Sequence, residues 1–148
     1  MNIKSFLRAC RDEQGEINIL LRKREQLYSS LLPAGIRYDG DRVQTTPEDR
    51  MLERMPEIAE LDKKISQQIR KLARRKAKAM GMINKLQDSK QRQVLTLYYL
   101  DNRRLSWEKV AAEMGYSRER VLDFVEEGLK ILIQNQRRCR REILKSMR

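Results

Sequence analysis

The chain is predicted to be all-α: a long antiparallel helical hairpin of coiled-coil type over residues 1–88, then a helix-turn-helix domain over residues 89–148. Three features predict this. Apolar residues recur at helical spacing through each long segment. Glycine and proline are scarce, at six and three, and most fall at or near breaks in that periodicity. Charged residues reach 36% against 40% hydrophobic, which suits helices packed along apolar seams better than one full-sized core.

Ile3, Phe6, Leu7, Cys10, Ile17, Leu20, Leu21, Leu27, Tyr28, Leu31 and Leu32 are spaced for one long helix or two shorter ones. Gly15 is the candidate interruption, at a cost of about 1 kcal/mol relative to alanine if it stays helical. Arg22-Lys23-Arg24 is a solvated face or a backbone-contacting patch. Pro33-Ala34-Gly35 ends the helix, and Asp39-Gly40-Asp41 carries turn chemistry. Residues 36–46 are either a short hairpin flanked by Tyr38 and Val43 or, the preferred reading, a connecting loop. Thr46-Pro47-Glu48-Asp49 then starts a helix, with a threonine cap, proline at the first position and acids where the helix dipole favours them.

The pattern from residue 47 to about 86 is the longest. Met51, Met55, Ile58, Ile65, Ile69, Leu72, Ala79, Ile83 and Leu86 follow the alternating three- and four-residue steps of a coiled-coil seam. Asp62 and Lys76 occupy seam positions with Leu61 and Ala77 beside them, which predicts an imperfect seam or a local change of partner. Pro56 either kinks this helix or separates a short one from a longer one. A connection of about a dozen residues favours antiparallel pairing with the first helix. The second outruns the first, so its end, residues 69–86, needs a further partner. Eight basic residues and no acidic one lie between Lys63 and Lys78. Arg74 and Arg75 in this run are candidates for contact with a duplex backbone.

Three short helical patterns follow. Val94, Leu95, Tyr98 and Tyr99 mark residues 91–100, and Asp101-Asn102-Arg103-Arg104 breaks the pattern. Ser106 is placed to cap Trp107–Met114, Gly115 to end that helix in the left-handed conformation, and Ser117 to cap the next. The third stripe is Val121, Phe124, Val125, Gly128, Leu129 and Leu132. Two helices joined by Gly-Tyr-Ser and packed on a leading helix describe a helix-turn-helix, whose second helix enters the major groove. That geometry would bring Arg118, Glu119, Arg120 and, on the next turn, Asp123 to base edges. Arginine can pair with guanine O6 and N7, and glutamate can accept from cytosine N4. Arg103, Arg104 and Ser117 are candidates for the DNA backbone, as are Arg137 and Arg138 in the basic run after Ile133. The plain alternative is a helical hairpin packed on another part of the protein.

Formal charge is +12, divided as +2 over residues 1–46, +4 over 47–88 and +6 over 89–148. Such a balance points to double-stranded DNA or, less often, an anionic membrane surface, and makes duplex binding salt-dependent without selecting a sequence. Histidine is absent, and Cys10 and Cys139 lack metal-ligand spacing, so neither a metal nor a cofactor is expected. With no phosphate-binding glycine loop and no convincing carboxylate cluster, an enzyme is not expected. Lys4, Arg8 and Arg11 interrupt any signal-peptide core, and no apolar stretch approaches a membrane span. Two apparently unpaired thiols then suggest the reducing cytoplasm.

Arg92-Gln93-Val94-Leu95-Thr96-Leu97-Tyr98-Tyr99, followed by Leu105-Ser106-Trp107-Glu108-Lys109-Val110-Ala111-Ala112-Glu113-Met114-Gly115-Tyr116-Ser117-Arg118-Glu119-Arg120-Val121, resembles the fourth conserved region of bacterial sigma factors. The last helix of that region reads the promoter −35 element. With its helical N-terminal half, the chain is also similar in plan to small phage regulators of late genes. The resemblance covers residues 89–132. It implies a phage or prophage transcription regulator in the nucleoid-associated cytoplasm of a bacterial host. The hairpin would then supply homodimerisation or a contact to host RNA polymerase. Tyr98 stands where the family often has arginine, and Leu122-Asp123-Phe124 departs from its polar run. Nothing matches the region that melts the −10 element. A small terminase-like DNA-packaging protein and a helical protein-binding adaptor are the alternatives.

Overall fold

The computed structural model describes residues 2–31 and 47–148. The Pro33-Ala34-Gly35 break, the Asp39-Gly40 turn and the Thr46 cap lie outside the described residues. Among these residues the elements are α1 (Ile3–Leu31), α2 (Pro47–Ile83), α3 (Ser89–Leu95), a π-helical turn (Thr96–Leu100), α4 (Trp107–Met114) and α5 (Arg118–Ser146), with no strand. The all-α expectation is met. No helix of the described residues is long and apolar enough to cross a membrane. They form two compact units: Glu16–Lys71, and Met1–Gly15 together with Leu72–Arg148.

In the Glu16–Lys71 unit, Arg24 Nη1 lies 3.2 Å from Asp62 Oδ1, and Arg54 Nη1 donates to Ser30 Oγ at 3.0 Å. Partner numbers rise along α1 as they fall along α2, so the helices run antiparallel. Ile17, Ile58, Leu61 and Ile65 are buried. Met51, Met55 and Ile69, expected on the seam, are 52%, 51% and 45% exposed. Leu61 supplies the buried position here, while Asp62 beside it takes the ion pair with Arg24. Pro56 sits inside α2 without ending it. The carbonyl its missing N–H leaves without a helical donor is that of Leu52, on a solvent-facing surface where water can replace the donor.

The other unit pairs the start of α1 with the end of α2, again antiparallel. Lys78 Nζ lies 5.7 Å from the Phe6 ring centroid, Glu13 pairs with Arg75, and Lys76 Nζ donates to Gln14 Oε1 at 2.6 Å. Ile3, Phe6, Leu7 and Cys10 are buried, as are Leu72, Ala79, Ile83 and Leu86. Ile58, Ile65, Leu72 and Ala79 lie seven residues apart along α2 and are all buried, with Leu61 as the buried neighbour in the one unit and Ile83 in the other.

After α2 the chain turns through Leu86, whose N–H donates to the Ile83 carbonyl at 3.0 Å. Arg92 donates to the Leu86 and Gln87 carbonyls, so one guanidinium closes the turn. Asp88 caps α3, its side chain accepting from Lys90 N–H at 2.9 Å. Val94 and Leu95 of α3 and the full expected stripe of α5 are buried in this unit. Gly128 leaves room for the side chains of α3: a Cβ there would stand 3.2 Å from Leu95 Cδ1 and 3.5 Å from Gln91 Cβ.

Candidate nucleic-acid interface

Local chemistry fixes the turn between α4 and α5. Ser106 Oγ accepts from Lys109 N–H at 3.4 Å at the start of α4. Gly115 ends that helix at φ 73°, ψ 29°, its N–H donating to the Ala111 carbonyl at 2.9 Å. Two residues later Ser117 Oγ accepts from Arg120 N–H at 3.3 Å and caps α5. Glu108 and Glu119 stand in the first turns, where a negative charge favours the helix dipole. The Tyr116 ring packs edge-on against Phe124 at 5.3 Å, and this fixes the turn to the core. The two serine caps and the left-handed glycine are where the sequence placed them.

Arg118, Glu119, Arg120 and Asp123 are all exposed at the start of α5. Val121, Phe124 and Val125 are buried on the opposite side, so Glu119, Arg120 and Asp123 share the outward face. Arg118 Nε lies 3.2 Å from Glu108 Oε1, with both side chains more than half exposed. An exposed pair of this kind is worth about 0–1 kcal/mol, whereas a bidentate arginine–guanine contact discriminates by about 1–3 kcal/mol. Glu108 therefore holds Arg118 only weakly. The Arg120 guanidinium lies 4.7 Å from the Phe124 ring centroid, which holds its stem along the helix.

The first three turns of α5 also carry Glu126 and Glu127, so the helix itself is not a basic rod. Glu127 Oε2 is turned back to accept from Gln91 Nε2 at 3.4 Å. Any attraction to phosphate would have to come mainly from cations elsewhere in the chain. Arg74, Arg137 and Arg138 are exposed, and Arg138 Nε lies 3.4 Å from Glu142 Oε1. Arg137 follows Arg118 by about 28 Å along α5, against a major groove about 12 Å wide. If the first turns enter such a groove, Arg137 lies beyond it.

The remaining backbone candidates have protein partners. Arg103 lies between two carboxylates, with Nε 2.9 Å from Asp101 Oδ1 and Nη1 2.6 Å from Glu113 Oε1. Hydrogen bonds from Arg103 hold the Asp101 carboxyl below its ordinary pKa, against the opposing effect of burial. Arg75 is engaged by Glu13. Arg104 adopts a left-handed φ of 50° and lays its guanidinium on α1, where a Cβ at Gly15 would stand 2.8 Å from Cζ. Gly15 thus interrupts nothing; it makes room for Arg104, whose Nη2 is 3.8 Å from Asp12 Oδ1.

Two residues that hold this head in place were missed in the sequence. Arg11 of α1 donates to the Tyr98 carbonyl at 2.6 Å and the Arg104 carbonyl at 3.3 Å. Its guanidinium also covers the Tyr98 ring at 4.0 Å. Tyr98 stacks on Trp107, with centroids 3.5 Å apart and planes 6° apart. Two groups this close to one centroid must take opposite faces, so Tyr98 is sandwiched. Lys76 Nζ donates to Asn102 Oδ1 at 2.9 Å as well as to Gln14, and desolvation lowers its pKa. A lysine on an apolar seam was the visible sign of Lys76. Nothing local marked Arg11.

Residues 85–132 match the family model described as Sigma-70, region 4. The match opens in the turn after α2 and closes at Leu132, the last buried residue of α5. This segment is a sigma-region-4-like helix-turn-helix, a DNA-binding domain of a general transcription-regulator type. No curated protein and no solved structure matches the chain.

Proposed function

We propose that the protein is a sequence-specific DNA-binding transcription regulator of phage or prophage type that acts with host RNA polymerase. The observation that carries this reading is the Ser117-capped start of α5. It exposes Arg118, Glu119, Arg120 and Asp123 within the segment that matches Sigma-70, region 4.

In this reading the +12 charge draws the chain to any duplex, with an affinity that falls as salt rises. The first turns of α5 enter the major groove, where Arg118 and Arg120 pair with guanine and Glu119 or Asp123 accepts from cytosine. Ser117 and the α5 N-terminus meet a phosphate, and Arg74, Arg137 and Arg138 meet phosphates outside that groove. Arg103, Arg104 and Arg75 act on phosphate only by exchanging their protein partners. Residues 89–148 serve DNA and residues 1–88 serve a partner, either the polymerase or another copy of the chain. The protein then works in the nucleoid-associated cytoplasm of the host.

Mapping bound sites across host and phage genomes, with the protein's mass in solution, tests the proposal. Sites sharing one sequence near promoters are expected, from a monomer or small oligomer. A ring that covers DNA without sequence preference would replace it with a packaging role. Absence of salt-dependent duplex affinity would replace it with an adaptor role.

A further inference from the structure

The unit holding the helix-turn-helix also contains an open groove between the first turns of α1 and α5, of about 980 Å³. Leu122, Val125, Leu129 and Ile133 form its wall along α5. A smaller hollow of about 300 Å³ shares Ile133 with it and reaches Arg140. From Leu122 to Arg140 the path follows α5 for about 27 Å, or five helical turns. Exposed Lys4, Arg8 and Lys130 rim the larger part, and Arg137 and Arg140 the smaller, against the acids Asp12 and Glu126. The α1 side lies outside residues 85–132, so the matched domain alone does not make this groove.

An aliphatic wall with a basic rim fits an amphipathic helix bearing acidic groups. A single nucleic-acid strand fits poorly, because stacked bases need free ring faces and both faces of Tyr98 are covered, by Arg11 and Trp107. The chain itself carries a helix of the required kind. At the start of α2, Met51, Leu52 and Met55 are 52%, 73% and 51% exposed on one side. Glu53, Glu57 and Glu60 are exposed on the flank beyond Leu52. These residues span about 15 Å, which fits within the groove.

We propose that the α1–α5 groove receives the acidic stretch Met51–Glu60 of α2 from a second copy of the chain. The groove lies about a third of a turn around α5 from Glu119, Arg120 and Asp123, so its occupation leaves the outward face open. The contact is independent of which DNA the head reads, and its test uses no DNA.

Sedimentation velocity on the full chain provides that test. Self-association is expected, and it weakens as salt rises. A +12 chain held together by apolar contact alone would instead associate more strongly with salt, as its repulsion is screened. Reversing the rim (Lys4→Glu, Arg8→Glu, Lys130→Glu) or the helix (Glu53→Lys, Glu57→Lys, Glu60→Lys) should each weaken association by about tenfold or more. Combining both sets in one chain should restore it. All six positions are exposed; if a reversed chain nevertheless melts, Leu52→Ser probes the same contact without changing charge. A wild-type chain that stays monomeric, association indifferent to both reversals, or a combined variant that stays apart would overturn the proposal.

Discussion

Replacing Trp107 with alanine removes one layer of the Arg11–Tyr98–Trp107 stack, and the loss can be worked from the geometry. A fully buried tryptophan costs about 3–5 kcal/mol on truncation, and Trp107 is mostly but not fully buried, so somewhat less than that applies. The parallel contact with Tyr98 at 3.5 Å adds about 0.5–1.5 kcal/mol beyond area. The expected destabilisation is about 2–4 kcal/mol, or about 5–15 °C in Tm for a chain of this size. Thermal denaturation followed by far-UV circular dichroism reads it. Trp107→Phe keeps a ring over Tyr98 and should recover much of the loss. A double-mutant cycle with Tyr98→Ala should show coupling of about 1 kcal/mol. A Tm shift below about 2 °C for Trp107→Ala, with no coupling to Tyr98, would refute the bracing role of the stack.

Four further outcomes are expected. Arg118→Ala or Arg120→Ala should narrow the gap between specific and nonspecific DNA by about 1–3 kcal/mol in competition binding, and an unchanged gap removes that residue from base reading. Arg74→Gln combined with Arg138→Gln should weaken binding to every duplex and lower the log–log salt slope by about 0.9 for each phosphate no longer neutralised; an unaltered slope means neither touches phosphate. Gly128→Leu should destabilise the head by about 1–3 kcal/mol in urea titration, because Leu95 and Gln91 leave no room, and a neutral result would mean α3 and α5 can part. Asp101 has a folded pKa below its unfolded one, so its stabilisation is full above about pH 4 and lost as the pH falls through the folded value. Asp101→Asn should therefore reduce the acid sensitivity of the melting transition; an unchanged pH profile would locate that sensitivity elsewhere.

The helix-turn-helix was legible because its signals are local. Ser106, Gly115 and Ser117 each act on backbone groups within a few residues, and the α5 stripe repeats at the helical period. What holds that head was not legible. Arg11 meets Tyr98 across 87 residues, and no periodicity names the far end of such a contact. Arg103 and Arg104 read as free cations because sequence shows charge but not its partner. In α2 the seven-residue repeat put Met51, Met55 and Ile69 on the seam; Ile58, Ile65, Leu72 and Ala79 keep that repeat and are buried, but the column beside them is buried at Leu61 and Ile83 and exposed at Met55 and Ile69. The π-helical turn at Thr96–Leu100 was also hidden, since Tyr98 and Tyr99 fit an ordinary helical pattern.

The return of α1 to the head has a consequence for how the molecule is made. Arg11 leaves the ribosome before the Tyr98 carbonyl it serves, which emerges 87 residues later. Closing so wide a loop carries an entropic cost that grows with the logarithm of its length, and non-local topologies fold slowly. Phe6, Leu7 and Cys10 must wait until the end of α2, against which the start of α1 packs, has been made.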